Sequence, residues 1–174
     1  MANKEALREL QHRLAERMRV VRSEPQGLSW LAVDCAGLGL LFPLRQSGEI
    51  FEAQNLVAVP HARPWLVGVA NLRGGLYTVV DLAGFLGLRP ALRGALPERQ
   101  RLVAFNAATG LNCAMLVDRL EGLRHAADLQ PVANDAAQRP AFAVASWIDA
   151  AGRAWQEIGL AELATHEMFL GISG

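Results

Sequence analysis

Apolar residues fall into two textures along this chain. In the first twenty-two residues, Leu7, Leu10, Leu14, Met18 and Val21 recur at spacings of three and four, with Arg and Glu between them. This is the stripe of an amphipathic helix over residues 3–22. Ser23-Glu24-Pro25-Gln26-Gly27 then supplies a break, so residues 1–24 read as a helical extension. After Gly27 the period changes. Short apolar runs bounded by Gly, Asn and Asp follow one another: Leu28–Cys35, Leu38–Phe42, Glu49–Ala53, Leu56–Val59, Val67–Asn71 and Leu76–Leu82. The second half continues with Arg101–Asn106, Asn112–Asp118, Leu123–Ala126, Ala141–Ile148 and Arg153–Glu157. Runs of this length and spacing predict a mainly β chain of small barrels or a sandwich. Cys35-Ala36-Gly37-Leu38 and Ala107-Ala108-Thr109-Gly110 have hairpin-turn composition. Leu82–Leu88 predicts one or two helical turns, Leu160–Met168 a closing helix, and Arg89–Glu98 a linker between halves.

Composition narrows the classes. With 174 residues, 52% apolar and 20% charged, the chain can bury a sizeable core. Its formal net charge is zero and 6% of it is aromatic, which argues against a basic nucleic-acid groove lined with stacking rings. Residues 1–22 are mildly basic, six Lys and Arg against three Glu. No secretory signal pattern stands at the N-terminus, and no window nears the ~20 apolar residues that span a bilayer. The expectation is a cytoplasmic protein without direct membrane insertion. Cys35 and Cys113, each inside an apolar run, read as small buried hydrophobes.

Candidate chemistry is sparse. Lys4 is the single lysine, which removes a P-loop and Schiff-base chemistry. His12, His61, His125 and His166 stand apart, outside any zinc-binding spacing, and the glycines of 68–75 do not form a dinucleotide fingerprint. Asp81, Asp118 and Asp149 sit at strand ends, where solvated turn or capping aspartates outrank metal ligands as a reading. No active site is recognisable, and neither metal nor cofactor is expected.

The informative stretch is Trp65–Leu82, a strand, a tight turn and a strand. Asn71 and Gly74-Gly75 tolerate positive φ and are expected to make the reversal, with Arg73 held in or beside it. Gly68-Val69-Ala70-Asn71-Leu72-Arg73-Gly74, then Val79-Val80-Asp81-Leu82 and Phe85-Leu86-Gly87-Leu88, resemble the CheW-like family of bacterial chemosensory adaptors. Pro60, Trp65, Leu102–Phe105 and Leu116-Val117-Asp118 fit the same pattern, and the resemblance covers residues 28–170. Within the family, the N-terminal extension and the wording WLVGVANLRG are most similar to members serving type IV pili and twitching motility.

The resemblance implies two small five-stranded, SH3-like barrel lobes around a shared core, with no catalytic residue and no cofactor. It implies two partners: the cytoplasmic tip of a methyl-accepting chemoreceptor and the regulatory domain of a CheA-type histidine kinase. Recruitment to membrane-bound receptor arrays would then run through those partners. By the same resemblance Arg73 and Glu49 lie near the receptor-binding region, with Asn71 and Ile50 beside them, and we expect an ion pair between the two. The kinase contact is implied on the lobe away from that motif, pointing to Leu102–Val117 and within it Leu102, Phe105 and Met115. The alternatives are an adaptor for flagellar or another chemosensory output and, in a different class, a small-barrel nucleic-acid-binding protein.

Overall fold

The computed structural model describes residues 27–92, 94, 96–133 and 139–171. The expected helix over 3–22 lies outside the described residues. Eleven strands occur among them: β1 Ser29–Cys35, β2 Leu38–Pro43, β3 Ser47–Glu52, β4 Leu66–Leu72, β5 Gly75–Asp81, β6 Arg101–Phe105, β7 Cys113–Val117, β8 Arg119–His125, β9 Leu129–Val132, β10 Ala143–Asp149 and β11 Ala154–Ile158. Three short helices accompany them: α1 Leu82–Phe85, α2 Leu160–Ala164 and α3 Glu167–Leu170. The single closing helix expected over Leu160–Met168 is therefore two pieces, separated at Thr165 and His166.

The strands form two sheets. One has six strands in the order β8-β1-β2-β11-β10-β9, the other five in the order β3-β6-β7-β5-β4. The two-lobe, mainly β expectation holds, but one lobe has six strands rather than five. The chain enters the six-stranded sheet with the β1–β2 hairpin, leaves it for all of β3–β7, and returns at β8. Residues 89–98 consequently connect β5 and α1 to β6 inside the five-stranded lobe, and are not a linker between halves. Each lobe also holds one parallel pairing, β2 with β11 and β5 with β7.

Alternation along the strands explains the long apolar runs. Leu102, Ala104, Ala114, Leu116, Val79, Ala70 and Leu72 point to one side of the five-stranded sheet and form that lobe's own core. Their neighbours Val103, Phe105, Cys113, Met115, Val117 and Val80 point to the other side. There they meet Leu31, Val33, Cys35, Leu40 and Phe42 from β1 and β2 in a core shared by both sheets. The six-stranded lobe keeps a third cluster of Trp30, Ala32, Leu41, Leu129 and Trp155 on its far face. Strands buried on both faces have no polar side to display, so they read as unbroken hydrophobic runs.

The short helices close the shared core with rings. Phe169 of α3 lies 5.4 Å from Phe85 and 6.0 Å from Phe105, and Trp65 is 5.3 Å from Phe85. Gln46, between β2 and β3, accepts at its side-chain oxygen from the backbone N–H of Leu160 at 2.7 Å. That bond satisfies a donor that a helix start leaves open.

Candidate functional site

The turn after β4 positions the most prominent side chain. Register runs to Leu72 opposite Gly75, so Arg73 and Gly74 are the only loop residues. Both have positive φ, 49° and 85°, the pattern of a type I′ hairpin turn. Of the residues expected to make the reversal, Gly74 does so together with Arg73, while Asn71 and Gly75 stay in the strands. Asn71 is the last residue but one of β4, and its Oδ1 accepts from Gly74 N at 2.8 Å, tying the turn to the strand that enters it. A left-handed conformation is costly for a non-glycine residue and needs surrounding structure to hold it. Here the Asn71 bond and two well-packed strands do so.

From that turn Arg73 reaches Glu49 of β3 in a two-point contact: Nε to Oε2 at 3.0 Å and Nη1 donating to Oε1 at 3.3 Å. The expected ion pair is present. Its place in the sheet is informative, because β3 and β4 are opposite edges of the five-stranded order. A flat sheet would hold them four strand spacings apart, roughly 19 Å. The contact requires this sheet to curl until its rims approach, around the core of Leu102, Leu116 and Val79. Both side chains are open to solvent, 76% and 55% exposed, so burial does not drive the pairing. Such a pair contributes well under about 1 kcal/mol to stability and serves to fix orientation. Ile50, next to Glu49, is 42% exposed and adds an apolar side chain to the rim.

Leu102, Phe105 and Met115 are corrected by the structure. All three are buried, Leu102 in the lobe's own core and the other two in the shared core. They lie on β6 and β7 of the same sheet as Arg73, not on the other lobe. None offers a surface to a partner.

The far end of the five-stranded lobe carries a buried charge network that sequence reading missed. Asp81 is 0% exposed, not solvated as expected, and takes both terminal nitrogens of Arg89, at 2.6 and 2.9 Å. Leu92 N donates to the same carboxylate at 3.0 Å. Arg89 also reaches Asp118 at 3.2 Å, and Gln100 Nε2 donates to Asp118 at 2.9 Å. The second Asp118 oxygen accepts from Ala36 N in the β1–β2 turn at 2.7 Å, so this carboxylate joins the two lobes. Burial pushes the Asp118 pKa up, but the Ala36 N–H, the Gln100 amide and the Arg89 charge outweigh it, and the net direction is downward. Asp149 does behave as a turn residue, accepting from Ala151 N, Arg153 N and Trp155 Nε1. Among the described residues no cluster of His, Cys, Asp or Glu has the geometry of a metal site. Cys35 and Cys113 are buried free thiols.

The same end holds a groove. The thirteen residues between β3 and β4 are tied to β4 by one isolated bridge, Val57 with Val69, made by N–H to O bonds of 2.9 and 2.8 Å, and to β5 at their end, where Trp65 O accepts from Asp81 N at 2.8 Å. Gly68 permits the bridge: its φ is +156°, and a Cβ there would stand 2.4 Å from the Val57 oxygen. The first glycine of the motif is therefore a docking point for this loop.

Comparison with known proteins follows the same lines. The CheW-like domain family matches residues 29–168. Protein PilI of Pseudomonas aeruginosa is 29% identical over 115 residues, 65% of this chain and 61% of PilI. A probable chemotaxis protein CheW of Rhizobium etli is 47% identical over 34 residues, 20% of this chain and 22% of that protein. The chain thus spans about three fifths of the first of these relatives and about a fifth of the second. The crystal structure of scaffolding protein TtCheW from Thermoanaerobacter tengcongensis aligns with a TM-score of 0.63 at 16% identity, covering 78% of this chain and 86% of that one. No helix among the described residues is long and apolar enough to cross a membrane.

Proposed function

The chain belongs to the CheW-like domain family, and from that premise we propose that it is a non-catalytic adaptor coupling a methyl-accepting chemoreceptor to a CheA-type histidine kinase. The observation that carries the reading is the Arg73–Glu49 pair, two exposed charges locked in one orientation by a left-handed turn and a curled sheet. A pair that adds little stability yet occupies a strained turn is best understood as a recognition element. With Asn71 and Ile50 it makes a rim with a cation, an anion and an apolar side chain within reach of one partner. The receptor tip is the partner assigned to this rim, and the protein works in the cytoplasm, drawn to receptor arrays by what it binds. It needs no cofactor. The similarity to PilI favours a pathway controlling type IV pili and twitching. The 47% identical stretch shared with a chemotaxis CheW favours a swimming pathway as the second reading.

Titration of a receptor cytoplasmic tip into wild type, Arg73→Glu, Glu49→Arg and the double exchange tests the rim. Each single reversal should weaken binding at least tenfold while leaving the melting temperature almost unchanged, and the double exchange should recover part of the loss. Single variants that bind as wild type does would remove the rim from the receptor contact, and a double variant that recovers nothing would sink the pairing. Loss of twitching zones with normal swimming in a deletion strain selects the pilus pathway, and the opposite phenotype selects the second reading.

A further inference from the structure

The two sheets meet over the shared core, and one corner of that meeting is left uncovered. Leu120 and Leu123 of β8 stand opposite Val33 and Leu31, and residues directly opposite in a strand pair share a face. Val33 and Leu31 point into the shared core, so both leucines face the same way, at the end of the six-stranded order. Ile50 of β3 stands opposite Val103, also of the shared core, at the end of the five-stranded order. Leu44 connects the two edges: its N–H donates to Ser29 O at 2.9 Å, and its carbonyl accepts from Ser47 N at 3.3 Å. Ile50 lies three residues past Ser47, roughly 10 Å. Leu44, Ile50, Leu120 and Leu123 are between 37% and 51% exposed. Single exposed leucines are ordinary, but four such residues beside a core make a surface that wants a cover.

The chain itself arrives at this corner. Ser29 pairs with His125, and Ala126 N donates to Leu28 O at 2.9 Å, so the backbone enters the six-stranded sheet beside the apolar row. Before that entry the sequence carries the stripe Leu7, Leu10, Leu14, Met18 and Val21. As a helix, the fourteen residues from Leu7 to Val21 extend about 21 Å. The row runs roughly 17 Å along β8 from Leu120 to His125, with Leu44 beyond it, so stripe and row agree in length. Ser23–Gly27, five residues with a proline and a glycine for the reversal, reach at most about 17 Å. A tether this short holds the stripe at a local concentration on the order of millimolar. A second copy of the chain does not reach that in dilute solution.

We infer that residues 3–22 fold back onto this corner through their apolar stripe, and that in covering Ile50 they compete with the partner of the Arg73–Glu49 rim. Ile50 is next to Glu49 in sequence, so a segment seated on the row stands against the rim that the adaptor reading above assigns to the receptor tip. The inference rests on that reading for the identity of the competitor, and on connectivity and length for the cover. The extension is then a tethered gate: the receptor tip must displace it, and its affinity is reduced by the fraction of protein in the covered state.

The test uses the full chain with one introduced thiol, Leu123→Cys, because the native Cys35 and Cys113 are buried. Maleimide labelling is timed with the stripe intact and with Leu10→Asp/Leu14→Asp, and the receptor tip is titrated into both forms without the added thiol. The charged stripe should speed labelling at position 123 at least fivefold and tighten receptor binding at least threefold. Leu10→Met/Leu14→Met, which keeps the stripe apolar, should match the intact chain in both readouts. A thiol at the exposed Leu88, away from the row, should label at one rate in all forms, and Leu120→Cys repeats the measurement if a thiol at 123 disturbs β8. Equal labelling with intact and charged stripes overturns the cover, and faster labelling with unchanged receptor affinity overturns the competition. Protection that grows with protein concentration, in a chain that sediments as a dimer, assigns the row to a second copy and overturns the fold-back. A receptor tip that binds neither form overturns the adaptor reading, while the labelling rates still decide the cover.

Discussion

Replacing Gly68 by alanine isolates one atom and asks what it does. The new Cβ would stand 2.4 Å from the Val57 oxygen and 2.9 Å from its carbonyl carbon, both backbone, so no side chain can swing aside. Relief requires the loop to leave β4, which sacrifices the two Val57–Val69 hydrogen bonds of 2.9 and 2.8 Å. At about 0.5–1.5 kcal/mol each, these account for about 1–3 kcal/mol. Holding alanine at a φ of +156° adds about 1 kcal/mol or more if the backbone does not relax. Restricting the unfolded chain returns somewhat less than about 1 kcal/mol. The net cost is about 1–3 kcal/mol, which for a chain of this size lowers the melting temperature by roughly 2–12 °C. Thermal unfolding followed by circular dichroism measures that shift. Amide hydrogen exchange localises it, with the Val57 and Val69 amides losing protection while Val103 and Met115 keep theirs. A variant that melts within a degree of wild type with both amides still protected would refute the account of Gly68 as the docking point.

Two further outcomes follow from burial and charge. Asp118 has a folded-state pKa below its ordinary 3.8, so its contribution to stability is complete above that value and is lost as pH falls through the lower folded value. Asp118→Asn should flatten the acid limb of the stability–pH curve below about pH 4, by at most about 1.4 kcal/mol per pH unit. Part of the limb persists, because the Trp155 indole N–H and the Arg153 N–H also lower the Asp149 pKa; urea melts at stepped pH decide the matter, and an unchanged limb removes Asp118 from the linkage. The Cys35 and Cys113 thiols are each pushed up to about 12, by burial first and, for Cys35, by the Asp118 charge next. Neither should react with iodoacetamide in native protein at pH 8, and both should react in denaturing urea; prompt native labelling would contradict the shared core.

Much of the fold is legible in the sequence because burial on both faces writes itself as unbroken apolar runs, as in Leu38–Phe42 and Cys113–Val117. The same property hides the interface. Alternation along β6 and β7 separates two faces but does not say that both are core, so Leu102, Phe105 and Met115 looked available when none is. The strand Leu129–Val132 escaped notice because Gln130 and Pro131 interrupt any apolar pattern, as suits a short sheet edge. The Arg73–Glu49 pair was accessible only through the family resemblance, since the residues are twenty-four apart in sequence and at opposite edges of the sheet order. Arg89 gave one usable signal: Asp81 stands between Val80 and Leu82-Ala83, inside an apolar run with no room for water, and a cation eight residues on can reach it. The groove had no signal of its own, because it is made by a loop and a connecting segment that only the fold brings face to face.

The excursion of the chain through β3–β7 before it returns at β8 has a consequence for synthesis. The β1–β2 hairpin leaves the ribosome early, but its sheet neighbours β8 and β11 are encoded only after the whole intervening lobe. At roughly 5–20 residues per second, β2 waits on the order of 6–20 s for the strand it pairs with in parallel. Until the end of that interval Trp30 and Leu41 lack Trp155, their far-face partner, while the five strands of the inserted lobe can pair with one another as soon as β7 is made. The nascent chain therefore carries a finished inner lobe on an unfinished outer one, and the hairpin at its leading end is the segment most in need of a chaperone.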